Sequence, residues 1–128
     1  MIKVNWLDTS LIISPVYYCL CKNKKSFKAA LKHLNIKKKD YPDFLLNKCA
    51  DATVHYFENG TKTTAVVCLG NTSNRTPCEI IGLLIHEAVH IWQEIKYRIG
   101  ELNPSKEFEA YSIQCIAQRL IEEYSNER

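Results

Sequence analysis

His86, Glu87 and His90, in the stretch LLIHEAVHIW, are the residues of this chain best equipped for chemistry. On a helix, at about 100° per residue, His86 and His90 project side by side, which is the spacing two imidazoles need to hold one metal ion. Glu87 stands about 100° to one side of His86. In this H-E-x-x-H arrangement the two histidines bind zinc and the glutamate acts as general base toward zinc-bound water. The competing explanation is a pair of helix histidines beside an ordinary surface glutamate, and the helical context argues against it.

A third protein ligand decides what kind of site this is. The extended form H-E-x-x-H-x-x-G-x-x-H would need glycine at 93 and histidine at 96, where this chain has Gln93 and Lys96, so that form is excluded. The other solution takes a carboxylate from a following helix, and KEFEAYSIQ offers Glu107 and Glu109. With Ser105 as origin, Glu109 falls at about 40°, between Ile116 and Leu120 on the apolar stripe. Glu107 falls at about 200°, beside Gln114 and Gln118. A carboxylate on a buried stripe is costly unless a metal ion or another partner compensates it. Glu109 is therefore the expected third ligand, leaving the fourth position of a tetrahedral zinc open, as catalytic zinc requires.

These side chains need two helices to carry them. Apolar spacing predicts a long helix over about 77–99, ended by Gly100, and a second from about 105 to 124, capped by Asn103 or Ser105. With His86 at 0°, Ile81, Ile85, Ala88, Trp92, Ile95 and Ile99 fall at about 180–260° and are the expected buried stripe. Glu79, Gln93, Glu94 and Tyr97 share the histidine side, as the wall of a polar cleft would. Upstream, SPVYYCLC (14–21) reads as a strand and SFKAALKHLNI (26–36) as a helix. DATVHYFENGTKTTAVVCLG reads as a hairpin turning at Asn59-Gly60. Its pairing puts Ala52, Val54 and Tyr56 on one face with Thr63, Ala65, Val67 and Leu69, the expected core side. KKKDYPDF and NTSNRTP are loops.

Composition bounds the rest. With 128 residues, 46% hydrophobic and 24% charged, the chain fits a single domain over 1–128 with one core. It shows no secretory signal pattern and no apolar run of membrane-spanning length, so it is expected to be cytoplasmic, its six cysteines reduced and mostly packed as small hydrophobes. Charge is uneven: residues 1–50 carry ten lysines against three aspartates, net +7, and residues 51–128 are net −4, giving the +3 of the whole. The lysine-rich half would attract nucleic acid or another acidic partner weakly, or serve as a solvated helix face.

His86-Glu87-Ala88-Val89-His90, eighteen further residues and then Glu109-Ala110-Tyr111, preceded by a hairpin, resembles the gluzincin branch of zinc metallopeptidases in minimal form. The longer string LIHEAVHIWQEI…IGE…PSKEFEAYSIQ, with SPVYYCLC and ADATVHYF, resembles small bacteriophage and prophage proteins, which places it in a host-cell cytoplasm. The resemblance implies an α+β, zincin-like fold: a small mixed or antiparallel sheet on the active-site helix, with the glutamate on the next. It implies one Zn²⁺ held by His86, His90 and Glu109, Glu87 as catalytic base, and a peptide or protein substrate aligned along an edge strand, here expected to be TTAVVCLG. Larger gluzincins draw an oxyanion-stabilising Tyr or His from a further domain, and no residue here takes that part; Tyr97 and Tyr111 are weak substitutes. His33 and His55 are assigned no ligand role. Two rivals remain: a non-catalytic zincin scaffold binding a host protein or nucleic acid through the lysine-rich half, and a small domain that zinc merely stabilises. Glu87 favours the enzyme, because neither rival needs a general base.

Overall fold

The structure, a computed structural model, describes residues 2–7, 14–46, 51–59 and 62–126. Strands β3 (Ala52–Asn59) and β4 (Lys62–Leu69) form the expected antiparallel hairpin, with Ala52 opposite Leu69 and Asn59 opposite Lys62. This register sets the connection at residues 60 and 61, one position later than Asn59-Gly60; both lie outside the described residues. Moving a turn by one residue moves every partner by two, and side chains alternate with period two, so the faces survive the shift.

The sheet continues beyond the hairpin. β2 (Val16–Cys21) pairs with β4 in parallel, and the short β1 (Trp6–Leu7) pairs antiparallel with β2, giving the order β1-β2-β4-β3. Helix α1 (Lys24–His33) lies in the crossover between β2 and the hairpin, followed by a 3-10 turn at Lys38–Asp40. Asn23 and Ser26 form its capping box. TTAVVCLG is therefore not an edge strand: β4 is internal, and β3 forms the edge. Sequence pattern favoured the hairpin because its partners are near in the chain, whereas the β2–β4 pairing is long-range.

Helices α2 (Pro77–Arg98) and α3 (Lys106–Ser125) pack on the other side of the sheet from α1. Thr76 and Glu79 close a capping box around Pro77, and Ser105 caps α3. At its C-terminus, α2 ends with Gly100 N–H donating to Tyr97 O and Glu101 N–H to Lys96 O, with Gly100 at φ 71°. This is the reciprocal pattern a left-handed residue permits. The core is two clusters rather than one. Val16, Tyr18, Leu20, Ala65, Val67 and Leu69 meet α2 and α3, while Cys19, Cys21, Val66 and Cys68 meet Phe27, Ala30 and Leu31 of α1. Cys78 is exposed, Cys115 half-buried, and Cys49 lies outside the described residues. Among the described residues no helix is long and apolar enough to cross a membrane.

The buried face of α2 differs from the expected stripe. Ile80, Leu84, Glu87, Ala88, Ile91, Trp92 and Ile95 are buried, whereas Ile81 and Ile85 are 39% and 42% exposed. The buried arc is thus turned by roughly 55° toward Glu87 at 100° per residue. The cause is tertiary: α2 is apolar around most of its girth, and the sheet claims Leu84 and Ile91 while α3 claims the side of Trp92.

Two glycine substitutions test this account of α2. Gly100→Ala forces a side chain onto a left-handed backbone and should lower unfolding free energy by about 1 kcal/mol. At Gly82 an added Cβ meets nothing within 4 Å, so Gly82→Ala should raise it by about 0.5–1 kcal/mol. Urea denaturation of the two variants checks both signs.

Candidate metal and catalytic site

The capped, uninterrupted α2 sets His86 and His90 one turn apart on its outer side. Their Nε2 atoms are 3.1 Å apart, with ring centroids 4.8 Å apart at 77°. Two nitrogens bound to one tetrahedral zinc at 2.0–2.1 Å would stand roughly 3.3 Å apart, so the pair is spaced to share an ion. The Nδ1 of His90 lies 3.1 Å from Gln93 Oε1. A carbonyl oxygen there accepts from Nδ1–H, leaving Nε2 as the lone-pair nitrogen, the usual way an outer partner orients a ligating histidine. Gln93 was noted in the sequence only as polar; the i,i+3 offset from His90 was the signal for this part.

Glu87 is 6% exposed, at the margin between core and cleft. Burial pushes its carboxyl above the ordinary value of 4.5, and the charges of His86 and His90 act in the opposite sense. A carboxylate with raised proton affinity beside two imidazoles is suited to taking and returning a proton.

Across from these residues runs the edge strand. A cavity of about 400 Å³ is lined by Ala52, Val54 and Tyr56 of β3 together with His86, Glu87 and His90. A neighbouring one of about 470 Å³ includes Asp51, Arg75, Glu79, His86 and Glu87. Asp51 is paired with Arg75, and Glu58 and Glu94 with Arg98. Tyr56 was read from the sequence only as a core-face residue. Its phenol pKa is pushed up to about 12, first by burial and then by Glu94 and Glu87, so it is a hydrogen-bond donor throughout the neutral range. The lack of a sheet edge assignment hid it.

Glu109 is placed elsewhere. Its Oε2 accepts from Trp92 Nε1 at 2.8 Å and Lys96 Nζ at 3.2 Å. Trp92 and Lys96 stand roughly 80–160° round α2 from the histidines at 100° per residue. The structure thus brings His86, Glu87 and His90 together and does not bring Glu109 to them. Among the described residues no group of three or more His, Cys, Asp or Glu is arranged to hold a metal ion. The histidine pair fits two ligand positions of a zinc site, and a third protein ligand is not assembled with it. Glu107 is exposed, His55 is buried with its Nε2 3.0 Å from Phe44 O, and His33 packs against Trp6. Tyr97 and Tyr111 are largely exposed.

Comparison of the chain with protein-family models, with curated proteins and with solved structures returns no match. The structure by itself defines a small α+β domain with a mixed four-stranded sheet.

The placement of Glu109 has a pH signature. Hydrogen bonds from Trp92 and then Lys96 hold its pKa below the ordinary 4.5. A lowered folded pKa means stability that is present above the unfolded value and is lost as pH falls through the folded one. Glu109→Gln should therefore melt below wild type at pH 7, and the gap should shrink as pH falls below about 4.5. A gap that does not change with pH would contradict this. Melting curves followed by circular dichroism between pH 3 and 7 measure it.

Proposed function

We propose that this chain is a zinc-dependent hydrolase of the peptidase type, a minimal zincin-like domain acting on an extended peptide. The observation that carries the reading is the convergence of the His86 and His90 Nε2 atoms at 3.1 Å beside a buried Glu87, facing an edge strand. His86 and His90 would hold the ion. When bound, zinc would supply Lewis acidity, lowering the pKa of water and polarising a carbonyl.

The chain's own residues account for the remaining work. The outer backbone groups of β3 offer an extended peptide a main-chain ladder, which sets its carbonyls along the cleft. Glu87 accepts a proton from the attacking water and returns it to the leaving amine, its raised proton affinity serving both steps. The Tyr56 phenol donates a hydrogen bond to the carbonyl oxygen as negative charge develops there, the part for which the sequence offered no residue. Glu109 would become a ligand only by leaving Trp92 and Lys96. Its present partners are the observation that favours the rival reading, a zincin-like scaffold whose work is binding rather than hydrolysis.

Metal content and turnover separate these readings. His86→Ala and His90→Ala should each lose most bound zinc, measured by titration against a chromophoric chelator, while Glu109→Ala should keep it. Equal retention in both histidine variants would remove the metal site. Glu87→Gln should keep zinc and thermal stability yet lose hydrolysis of a peptide library by about 10²-fold or more. A wild type that holds zinc but cleaves no peptide would leave the scaffold reading.

Tyr56→Phe removes one hydroxyl and leaves the ring. It should lower kcat by about 10²-fold with KM and zinc content nearly unchanged. A change in KM alone would make Tyr56 a wall of the cleft and nothing more.

A further inference from the structure

The opposite side of the sheet carries a second surface. Between β1 and α1 lies a cavity of about 630 Å³ lined by Lys3, Asn5, Trp6, Lys25, Lys32 and His33, with no carboxylate among its lining residues. Trp6 is half-buried and His33 exposed, and their rings pack with centroids 5.1 Å apart, tilted by 33°. Among the described residues, none of these three lysines takes part in an ion pair.

Lys25 is not where helix stability would put it, whereas Lys32 lies in the last turn of α1, where a cation is favoured. Lys24 and Lys25 occupy the first two positions of α1, whose first turn has no acidic residue. A helix N-terminus is the positive end of the helix dipole, so cations there are repelled. Positive charge gathered in residues 1–50 while the rest of the chain is net acidic suits an anionic partner. Residues 1–50 contain no arginine. Arginine's planar fork recognises carboxylates and phosphates alike, whereas lysines act as point charges on flexible stems, which can follow a string of anionic groups without a fixed geometry.

We propose that this groove binds single-stranded nucleic acid. Lys3, Lys25 and Lys32 neutralise successive phosphates, and one base stacks on the exposed face of His33, which Trp6 backs. Charge without an aromatic would fit any polyanion; the ring pair within a basic groove is the feature that favours a nucleic acid over an acidic peptide. The site is separate from the His86 cleft and stands whether or not that cleft is an enzyme.

The test uses the full chain and a labelled oligothymidylate, followed by fluorescence anisotropy. Log affinity should fall with log salt at a slope of about −2, from three phosphates at roughly 0.7 each. Trp92 is 1% exposed, so quenching of tryptophan emission on binding reports Trp6. The double variant Lys25→Glu, Lys32→Glu should weaken binding at least 10-fold. Both positions are exposed, and the gain from an acid in the first turn of α1 offsets the loss from an acid in its last turn, so the melting temperature should stay near that of wild type. His33→Ala should weaken binding several-fold with the salt slope unchanged. No binding at low salt, wild-type affinity in the double variant, or equal affinity for a polyaspartate peptide would each overturn the proposal, the last in favour of an acidic peptide.

Discussion

Helix α2 has to satisfy two neighbours at once, because the sheet covers Leu84 and Ile91 and α3 covers the side of Trp92. Both contacts are dry, and each fully buried large apolar side chain contributes about 1.5–3 kcal/mol. Together they dictate how α2 is rotated about its axis. That rotation sets Glu87 at the rim of the core and leaves His86 and His90 in the open cleft. The chemistry of the site is thus a by-product of packing: a carboxyl at the rim is dehydrated and binds its proton more tightly, while the imidazoles beside it remain accessible. Turning the helix back toward the stripe of Ile81 and Ile85 would leave Leu84 and Ile91 exposed and return Glu87 to water.

Local features of this architecture were legible in the sequence, and non-local ones were not. The Ser105 cap, the end of α2 at Gly100, the two long helices and the face of the hairpin all depend on residues within a few positions of one another. The hairpin face survived an error in the turn because pairing shifts by two when a turn shifts by one. The parallel β2–β4 pairing joins segments more than forty residues apart, and no periodicity announces it. Missing it made β4 the expected edge, and with that Tyr56 went unnoticed as a neighbour of the histidines. The stripe on α2 failed for a related reason: a helix apolar on most sides carries several plausible stripes, and only its neighbours choose among them.

Glu109 shows the limit of phase arguments on a second helix. Its angle on α3 placed it on the apolar stripe, but the side chain is only half-buried, 37% exposed at the joint with α2. Compensation came from the indole N–H of Trp92 and the ammonium of Lys96, donors that lie on another helix and have no fixed sequence offset from Glu109. A buried tryptophan needs an acceptor as much as a carboxylate needs a donor. The pairing therefore locks α3 against α2, and the Trp92–Phe108 edge-to-face contact, with centroids 5.5 Å apart, strengthens the same joint.

The cleft itself lies where β3 faces α2, along the edge strand. Tyr56 and Glu87 both line that cleft, and the tyrosine pKa is raised first by burial and then by Glu94 and Glu87. Under the proposed reading, a ligand entering there would meet α2 on one side and, on the other, the edge strand β3. If the cleft takes a peptide as proposed, an extended main chain would suit it, since an extended segment could pair with β3 while presenting a carbonyl to α2. Backbone geometry would decide what binds first, and side-chain preference would come from the walls around Val54, Leu83 and Tyr56.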